Sequence, residues 1–450
     1  MKLRPYQKEV AKAVVESVRE HKGLTFSVEI ARQGGKNELS AHLEVLLLTL
    51  YMAGGGNIVK CSPTFKPQTV ISMQRLKERL DDFGFDGVYH SEMGYIIALG
   101  SARAVFLSAE ESSSVVGHTA DILLEIDESQ DVSKEKYTRE FRPMASSANT
   151  TTVHYGTTWD DTTLLEEVKN TNLELEKKDG VRRHFRYDWQ EVAKYNPHYE
   201  NFVIAEKERL GAQHPLFRTQ YLLLPIKGGG RLLDRQQIVL LGGEHPRLTS
   251  PLAGATYIAG IDLAGEGETA NPRQDLTVLT ISGIDIMQQA QFSLFEPVLR
   301  VVEQYQWQGT QHSRLYPQVV AILKKWNCQR VVVDATGIGQ PVASFLRAQL
   351  GRKIVPFTFS QPSKSRMGFE LLSWINSGRL KVYRQDGSRE YQELMWQLEH
   401  ARAQYRPNQT MNFFVDPSEG HDDFLMSLAL TVEAARDFSP RTARGGMRDE

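Results

Sequence analysis

Two groups of residues in this sequence have the types and spacing for chemistry on phosphates. The first is the run Ser27-Val28-Glu29-Ile30-Ala31-Arg32-Gln33-Gly34-Gly35-Lys36-Asn37-Glu38, between a β-rich stretch and a helical pattern. A tight turn there aims backbone N–H groups and a helix N-terminus at phosphate oxygens. Gly34 and Gly35 let the backbone approach, and Lys36 supplies a point charge for the outer phosphates. About ninety residues on, Ile122-Leu123-Leu124-Glu125-Ile126-Asp127-Glu128 is an apolar run ending in two carboxylates. Magnesium takes hard oxygen ligands, which suits Asp127, and Glu128 can orient the attacking water. Taken singly, Gly-Gly-Lys is often an ordinary loop and an acidic pair often a solvated strand end. Their order along the chain is what points to ATP and Mg²⁺.

The second group is a set of aspartates. Tyr257–Asp262 and Arg330–Asp334 read as buried strands that each deliver an Asp, and His421-Asp422-Asp423 opens an apolar helix. Carboxylates on separate elements can converge on one or two Mg²⁺ or Mn²⁺ ions about 4 Å apart, which activate water for attack on a phosphodiester. Asp422 or Asp423 would equally serve as a helix cap, and Asp334 as a plain strand exit. Asp275 is a weaker candidate for an accessory ligand, while Glu266 and Glu268 read as a solvated loop.

Both groups need sheets to position them. In the first half, Thr25–Ile30, Ile58–Cys61, Ala104–Leu107, Ile122–Ile126 and Thr151–Gly156 read as strands. The intervening helical patterns, among them Leu39–Tyr51 and Pro67–Leu80, argue a parallel sheet covered by helices. From about Arg182 to Leu224 the chain becomes aromatic-rich and helical, as a small lid subdomain would. Gly, Pro and Ser then concentrate over 227–254, the expected linker. Strands expected at Tyr257–Asp262, Leu276–Ile281, Arg330–Asp334, Ile354–Phe357 and Arg379–Tyr383, with a helix from about Asp422 to Ala435, suit an RNase H-like fold. The expected organisation is thus α/β: a P-loop (RecA/helicase-like) ATPase over 1–226 with its lid at about 182–224, a nuclease over 255–436, and a polar tail over 437–450.

Bulk properties narrow the class. At 450 residues the chain exceeds one compact core. The 41% hydrophobic and 24% charged residues are ordinary for a globular protein. No apolar run reaches the ~18 residues of a membrane span, and Lys2, Arg4 and Lys8 lead into no apolar h-region, so neither membrane nor secretory signal is expected. Two cysteines, Cys61 and Cys328, exclude a disulfide framework and a cysteine-rich zinc site. A formal net charge of −2 leaves any DNA contact to local basic patches. Candidates are Arg352, Lys353, Lys364 and Arg366, with Arg402 and Arg406 further on; a solvated charged face explains them nearly as well.

In this order, Ala31 to Glu38, Asp127-Glu128-Ser129-Gln130 and Gly420-His421-Asp422-Asp423 resemble the large terminase family of tailed bacteriophages and related viruses, up to Ala435. The resemblance implies an ATPase that drives double-stranded DNA into a procapsid and a metal-dependent endonuclease that cuts concatemeric DNA. It implies nucleotide-binding roles for Gln33, Gly34, Gly35, Lys36 and Asn37, a γ-phosphate role for Arg32, magnesium binding by Asp127 and water activation by Glu128. Pro5-Tyr6-Gln7 resembles the adenine-reading Gln element of helicase-like ATPases, and Gly156-Thr157-Thr158 matches the family's coupling motif. Asp262, Asp334 and the Asp422-Asp423 pair match the nuclease metal ligands. Asn37 departs from the usual hydroxyl and Ile30 from the first P-loop glycine. Arg139 and Arg142 read either as arginines offered to a neighbouring subunit or as plain surface charge. Implied partners are a portal protein, a small terminase subunit and further copies of the chain in a ring, expected as a pentamer, in the host cytoplasm and transiently docked on the procapsid. Two rivals remain: a helicase-nuclease of repair or defence, which should carry a second ATPase lobe, and a DNA-binding scaffold with a decayed P-loop.

Overall fold

The computed structural model describes all residues except 1, 114, 116, 227–228, 265–275, 289–294, 338, 407 and 437–450. The expectations for Glu266, Glu268, Asp275 and the tail therefore lie outside the described residues. Two compact units emerge: residues 1–207 with 215–228 and 407–409, and residues 208–214 with 229–406 and 410–450.

The first unit runs α1 (Pro5–Arg19), β1 (Thr25–Ile30), α2 (Lys36–Leu50), β2 (Gly56–Ser62), α3 (Val70–Asp82), β3 (His90–Glu92), β4 (Ile96–Leu99), β5 (Ala102–Ser108), β6 (Leu123–Ile126), the single turn α4 (Lys134–Lys136), β7 (Thr151–Gly156), α5 (Leu164–Asp179) and β8 (His184–Tyr187). Helices α6 (Trp189–Ala193), α7 (Pro197–Leu210) and α8 (Pro215–Gln220) follow. The eight strands form one sheet in the order β3-β4-β5-β2-β6-β7-β1-β8. From β5 to β8 it is parallel, and β1, β6 and β7 are buried almost throughout, as sheets covered on both faces require.

The structure departs from the sequence expectations at several places: residues 229–231 and 235–241 of the expected linker form a strand and a helix, a strand not expected spans Phe295–Gln308, and two differences fall in the first unit. Phe185 and Tyr187, expected in a helical lid, belong to strand β8, which pairs in parallel with β1. Their alternation with exposed Arg186 is the period-2 signature of an edge strand. The α-helical part of the stretch expected from Pro67 begins at Val70, and Pro67 to Thr69 lie in a wider, π-helical turn that leads into it.

The second unit contains β9 (Gly229–Arg231), α9 (Arg235–Leu241), β10 (Tyr257–Asp262), β11 (Leu276–Gln288), β12 (Phe295–Gln308), α10 (His312–Lys325), β13 (Arg330–Asp334), α11 (Gly339–Leu350), β14 (Ile354–Phe357), α12 (Gln361–Asn376), β15 (Leu380–Val382), α13 (Arg389–His400), β16 (Arg402–Tyr405), β17 (Met411–Phe414) and α14 (Asp423–Ala435). Its main sheet has the order β14-β13-β10-β11-β12-β15. Strands β10, β11 and β12 form an antiparallel meander, and β13 lies parallel beside β10. One face packs on α14, α12 and α13, the other on α10 and α11.

Helix α14 is buried along its whole length, so it must press directly on the sheet. Gly260 makes this possible: a Cβ there would collide with the Thr431 amide nitrogen and the Ser427 carbonyl oxygen. Ser427 Oγ donates to the Gly260 carbonyl at 3.0 Å, which locks helix to strand. Gly260→Ala should therefore push α14 off β10. A cost of about 1–3 kcal/mol is expected from overpacking, read as a melting midpoint several degrees lower; an unchanged midpoint would mean the helix can shift freely.

Candidate ATP and nuclease sites

The phosphate loop is shaped by backbone geometry. Gly35 sits in the left-handed region at φ +94° and is the N-cap of α2, so Lys36 is the first helical residue. A side chain at Gly35 would strike Gln7 Nε2 at 2.7 Å, and one at Gly34 would strike the Ala31 carbonyl at 2.7 Å. Helix α1 braces the loop from outside. Gln7 Nε2 donates to the Gly35 carbonyl at 2.9 Å, and the Tyr6 hydroxyl donates to that of Gly34 at 2.5 Å. Gln7 is thus partly committed to the loop, its Oε1 also accepting from the Arg4 amide at 2.8 Å.

The loop faces a cavity of about 550 Å³ lined by Arg32 to Glu38, with Gln7, Glu128 and Thr157. Lys36 Nζ lies 3.1 Å from the Glu128 carboxylate, so the lysine and the carboxylate singled out in the sequence face each other. Glu128 is held in the left-handed region at φ +43°, uncommon for a residue with a side chain. The Lys36 ammonium, opposing the effect of burial, holds its carboxyl below the usual range. Asp127, 4% exposed, is shifted the other way: burial dominates, and the Lys60 ammonium only partly offsets it. Such a carboxylate, under-compensated in a dry place, suits a cation. Asn37 lies on the cavity wall, whereas Asp127, directly before Glu128, is buried and not among the lining residues; these are the two that could hold magnesium.

Three contributors have no role in the sequence expectations: Gln130, Gln220 and Tyr199. Gln130 Nε2 donates to Glu128 Oε2 at 2.8 Å, and its Oε1 accepts from the Thr157 amide at 3.3 Å. It thereby ties the Glu128 carboxylate to the Gly156-Thr157-Thr158 segment. Gly156 has no room for a Cβ because Gln130 Oε1 fills the space. Arg32 is fixed by the helices after β8: Nη1 donates to Gln220 Oε1 at 2.9 Å, and its carbonyl accepts from the Tyr199 hydroxyl at 2.9 Å. No local pattern marks Gln220 or Tyr199 as partners of a loop so distant in sequence.

In the second unit, register brings the aspartates together. Ile261 pairs with Val333 in parallel, so Asp262 and Asp334 end neighbouring strands side by side. Asp423 Oδ2 accepts from the Leu276 amide at 2.9 Å, at the start of β11, whose Val278 pairs with Asp262. Burial, then the Asp423, Asp334 and Asp422 carboxylates, push the Asp262 carboxyl well above its ordinary range, with Lys364 opposing. Burial also raises Asp334, against a bond from the Thr336 amide at 2.8 Å. Among the described residues no three such groups are gathered as an ion would gather them. The site is a set of mutually repelling acids that a divalent cation would draw inward, and hard carboxylate donors are what Mg²⁺ or Mn²⁺ takes. Asp423 is the more buried of the pair and is tied to β11, whereas Asp422 makes no side-chain cap bond to α14.

The basic candidates divide. Lys364 stands close enough to Asp422 and Asp262 for their charges to act on it. Arg366 pairs with Glu433 at 3.1 Å and Arg402 with Glu419 at 2.5 Å, so both are engaged within the unit. In the first unit Arg139 is 72% exposed and bonded to Glu140 at 2.7 Å.

Residues 260–432 match the family model described as terminase RNase H-like domain. No curated protein matches the chain. Among solved structures, the large terminase of a thermophilic bacteriophage superposes with a TM-score of 0.55 at 13% identity, over 96% of this chain and 99% of that one. The same protein in complex with ADP gives 0.52 at 13% identity, over 96% and 99%. The chain as a whole thus has the fold of a phage large terminase subunit, and residues 260–432 are similar to the terminase RNase H-like domain.

Proposed function

We propose that this chain packages viral DNA: it hydrolyses ATP to translocate double-stranded DNA into a procapsid and cuts concatemeric DNA with a metal-dependent nuclease. The observation that carries the reading is one chain holding both chemistries. Lys36 pairs with Glu128 at 3.1 Å on the wall of a cavity of about 550 Å³, and Asp262 and Asp334 end neighbouring strands of a terminase-like nuclease domain, with Asp423 at the head of α14 near enough for its charge to act on Asp262. In the ATP site, Lys36, Arg32 and the α2 N-terminus bind and orient phosphates, Glu128 takes the proton of the attacking water, and Gln130 passes its position to Thr157. In the nuclease site, Asp262, Asp334 and Asp423, with Asp422 beside them, would hold one or two divalent cations. Those ions would supply an activated water and stabilise the leaving oxygen. Lys364, beside the acids, is placed to receive the negative phosphodiester. The partners proposed are a portal protein, a small terminase subunit and other copies of the chain in a pentameric ring, acting in the host cytoplasm on the procapsid. No helix among the described residues is long and apolar enough to cross a membrane.

The test is packaging itself. Procapsids, ATP and linear duplex should yield DNase-protected DNA with the unmodified chain and none with Lys36→Ala. Equal protection with Lys36→Ala would remove the motor reading.

A further inference from the structure

Among the residues that line the cavity beside Lys36 is Arg75 of α3, a helix that carries none of the motifs above. Arg75 and Arg79 lie one turn apart on it and so project the same way. Both reach Glu38 in the first turn of α2: Arg75 Nη1 is 3.2 Å from Oε2, and Arg79 Nη1 is 3.1 Å from Oε1. His42 Nδ1 stands 3.4 Å from Oε1.

The two arginines are not equivalent. Arg79 is only 14% exposed and is also held by Asp82 at 2.9 Å. Arg75 is 40% exposed and lines the cavity together with Lys36, Arg32 and Glu128. If Arg75 let go, Glu38 would keep Arg79, so no inward-facing carboxylate would be stranded.

We infer that Arg75 is a phosphate-binding residue of the ATP site, held by Glu38 when the cavity is empty and handed to a phosphate oxygen when nucleotide enters. The inference rests on the ATPase reading above. A guanidinium fork fits a carboxylate and a phosphate alike, so the exchange swaps one anion for another of similar geometry. Glu38 is then a competing anion inside the chain, and it sets how tightly the nucleotide is held.

Titration of the full chain with ADP and with ATPγS, comparing unmodified protein, Arg75→Ala, Glu38→Gln and the double variant, decides it. Arg75→Ala is expected to weaken binding by roughly tenfold or more, the usual scale for a lost charge-assisted bond. Glu38→Gln is expected to tighten it, and the double variant to bind as weakly as Arg75→Ala. Recovery of unmodified affinity in the double variant would mean that Arg75 merely neutralises Glu38, and the inference would be overturned. Arg75→Ala binding like the unmodified chain would overturn it too. Failure of the unmodified chain to bind either nucleotide would strike the ATPase reading first, and the role of Arg75 with it.

Discussion

Glu128→Gln is expected to lower ATP turnover by about 10²–10⁴-fold, the usual contribution of a general base, while ATP still binds. The carboxylate is the only part of Glu128 that can accept a proton from water, and glutamine keeps its size and its bond to Gln130. Binding should hold or tighten, because the same carboxylate pairs with Lys36 at 3.1 Å and competes with phosphate for it. Turnover rates and ATPγS affinity measured on the two proteins check both halves. Turnover within a few-fold of the unmodified chain would move the base elsewhere, with Asp131 the next carboxylate on the cavity wall.

Asp262→Asn should abolish DNA cleavage, by about 10³-fold or more, since several kcal/mol of charge stabilisation depend on the cations it helps to hold. It should also make the cation-free nuclease unit more stable. Asp262 bears the repulsion of Asp423, Asp334 and Asp422 on top of its burial, which is why its carboxyl stays protonated above the ordinary range. The sign follows from proton binding. Between the ordinary and the raised pKa the folded chain binds more protons than the unfolded one, so stability falls as pH rises through that window. Asparagine removes the loss, so its melting midpoint should exceed that of the unmodified chain at neutral pH and approach it at low pH. Such a trade of activity against stability is expected where like charges are assembled for function. A lower midpoint at neutral pH without metal would mean that Asp262 is a structural carboxylate.

The strand-borne acids of the candidate sites are legible in the sequence because Asp127, Asp262 and Asp334 each end or directly follow a strongly patterned strand. Val331-Val332-Val333 before Asp334 and Leu123-Leu124 before Asp127 can hardly be anything but buried strands, and strand ends fix side chains in register. What is not legible depends on distant partners. Strand β12 carries Pro297 and a run of polar residues, and only its pairing with β11 over Phe295–Gln308 makes it a strand. The small sheet β17-β16-β9 brings Gly229–Arg231 beside Arg402–Tyr405, a pairing across some 170 residues that no local pattern records. Strand β8 reads as part of a lid because aromatic residues suit a small helical cluster as well as an edge strand. Arg75 belongs to no motif, and nothing local gives Gln130 its task; their place at the cavity comes from helix packing and from the turn after β6.

That one chain carries two separate active sites is tested most directly by measuring two activities on the same preparations. ATP turnover and Mg²⁺- or Mn²⁺-dependent plasmid cleavage would be followed for unmodified protein, Glu128→Gln and Asp262→Asn. The expected result is a crossed pattern: Glu128→Gln loses turnover and still cuts, while Asp262→Asn stops cutting and still turns over ATP. Loss of both activities in either variant, or of neither, would contradict it.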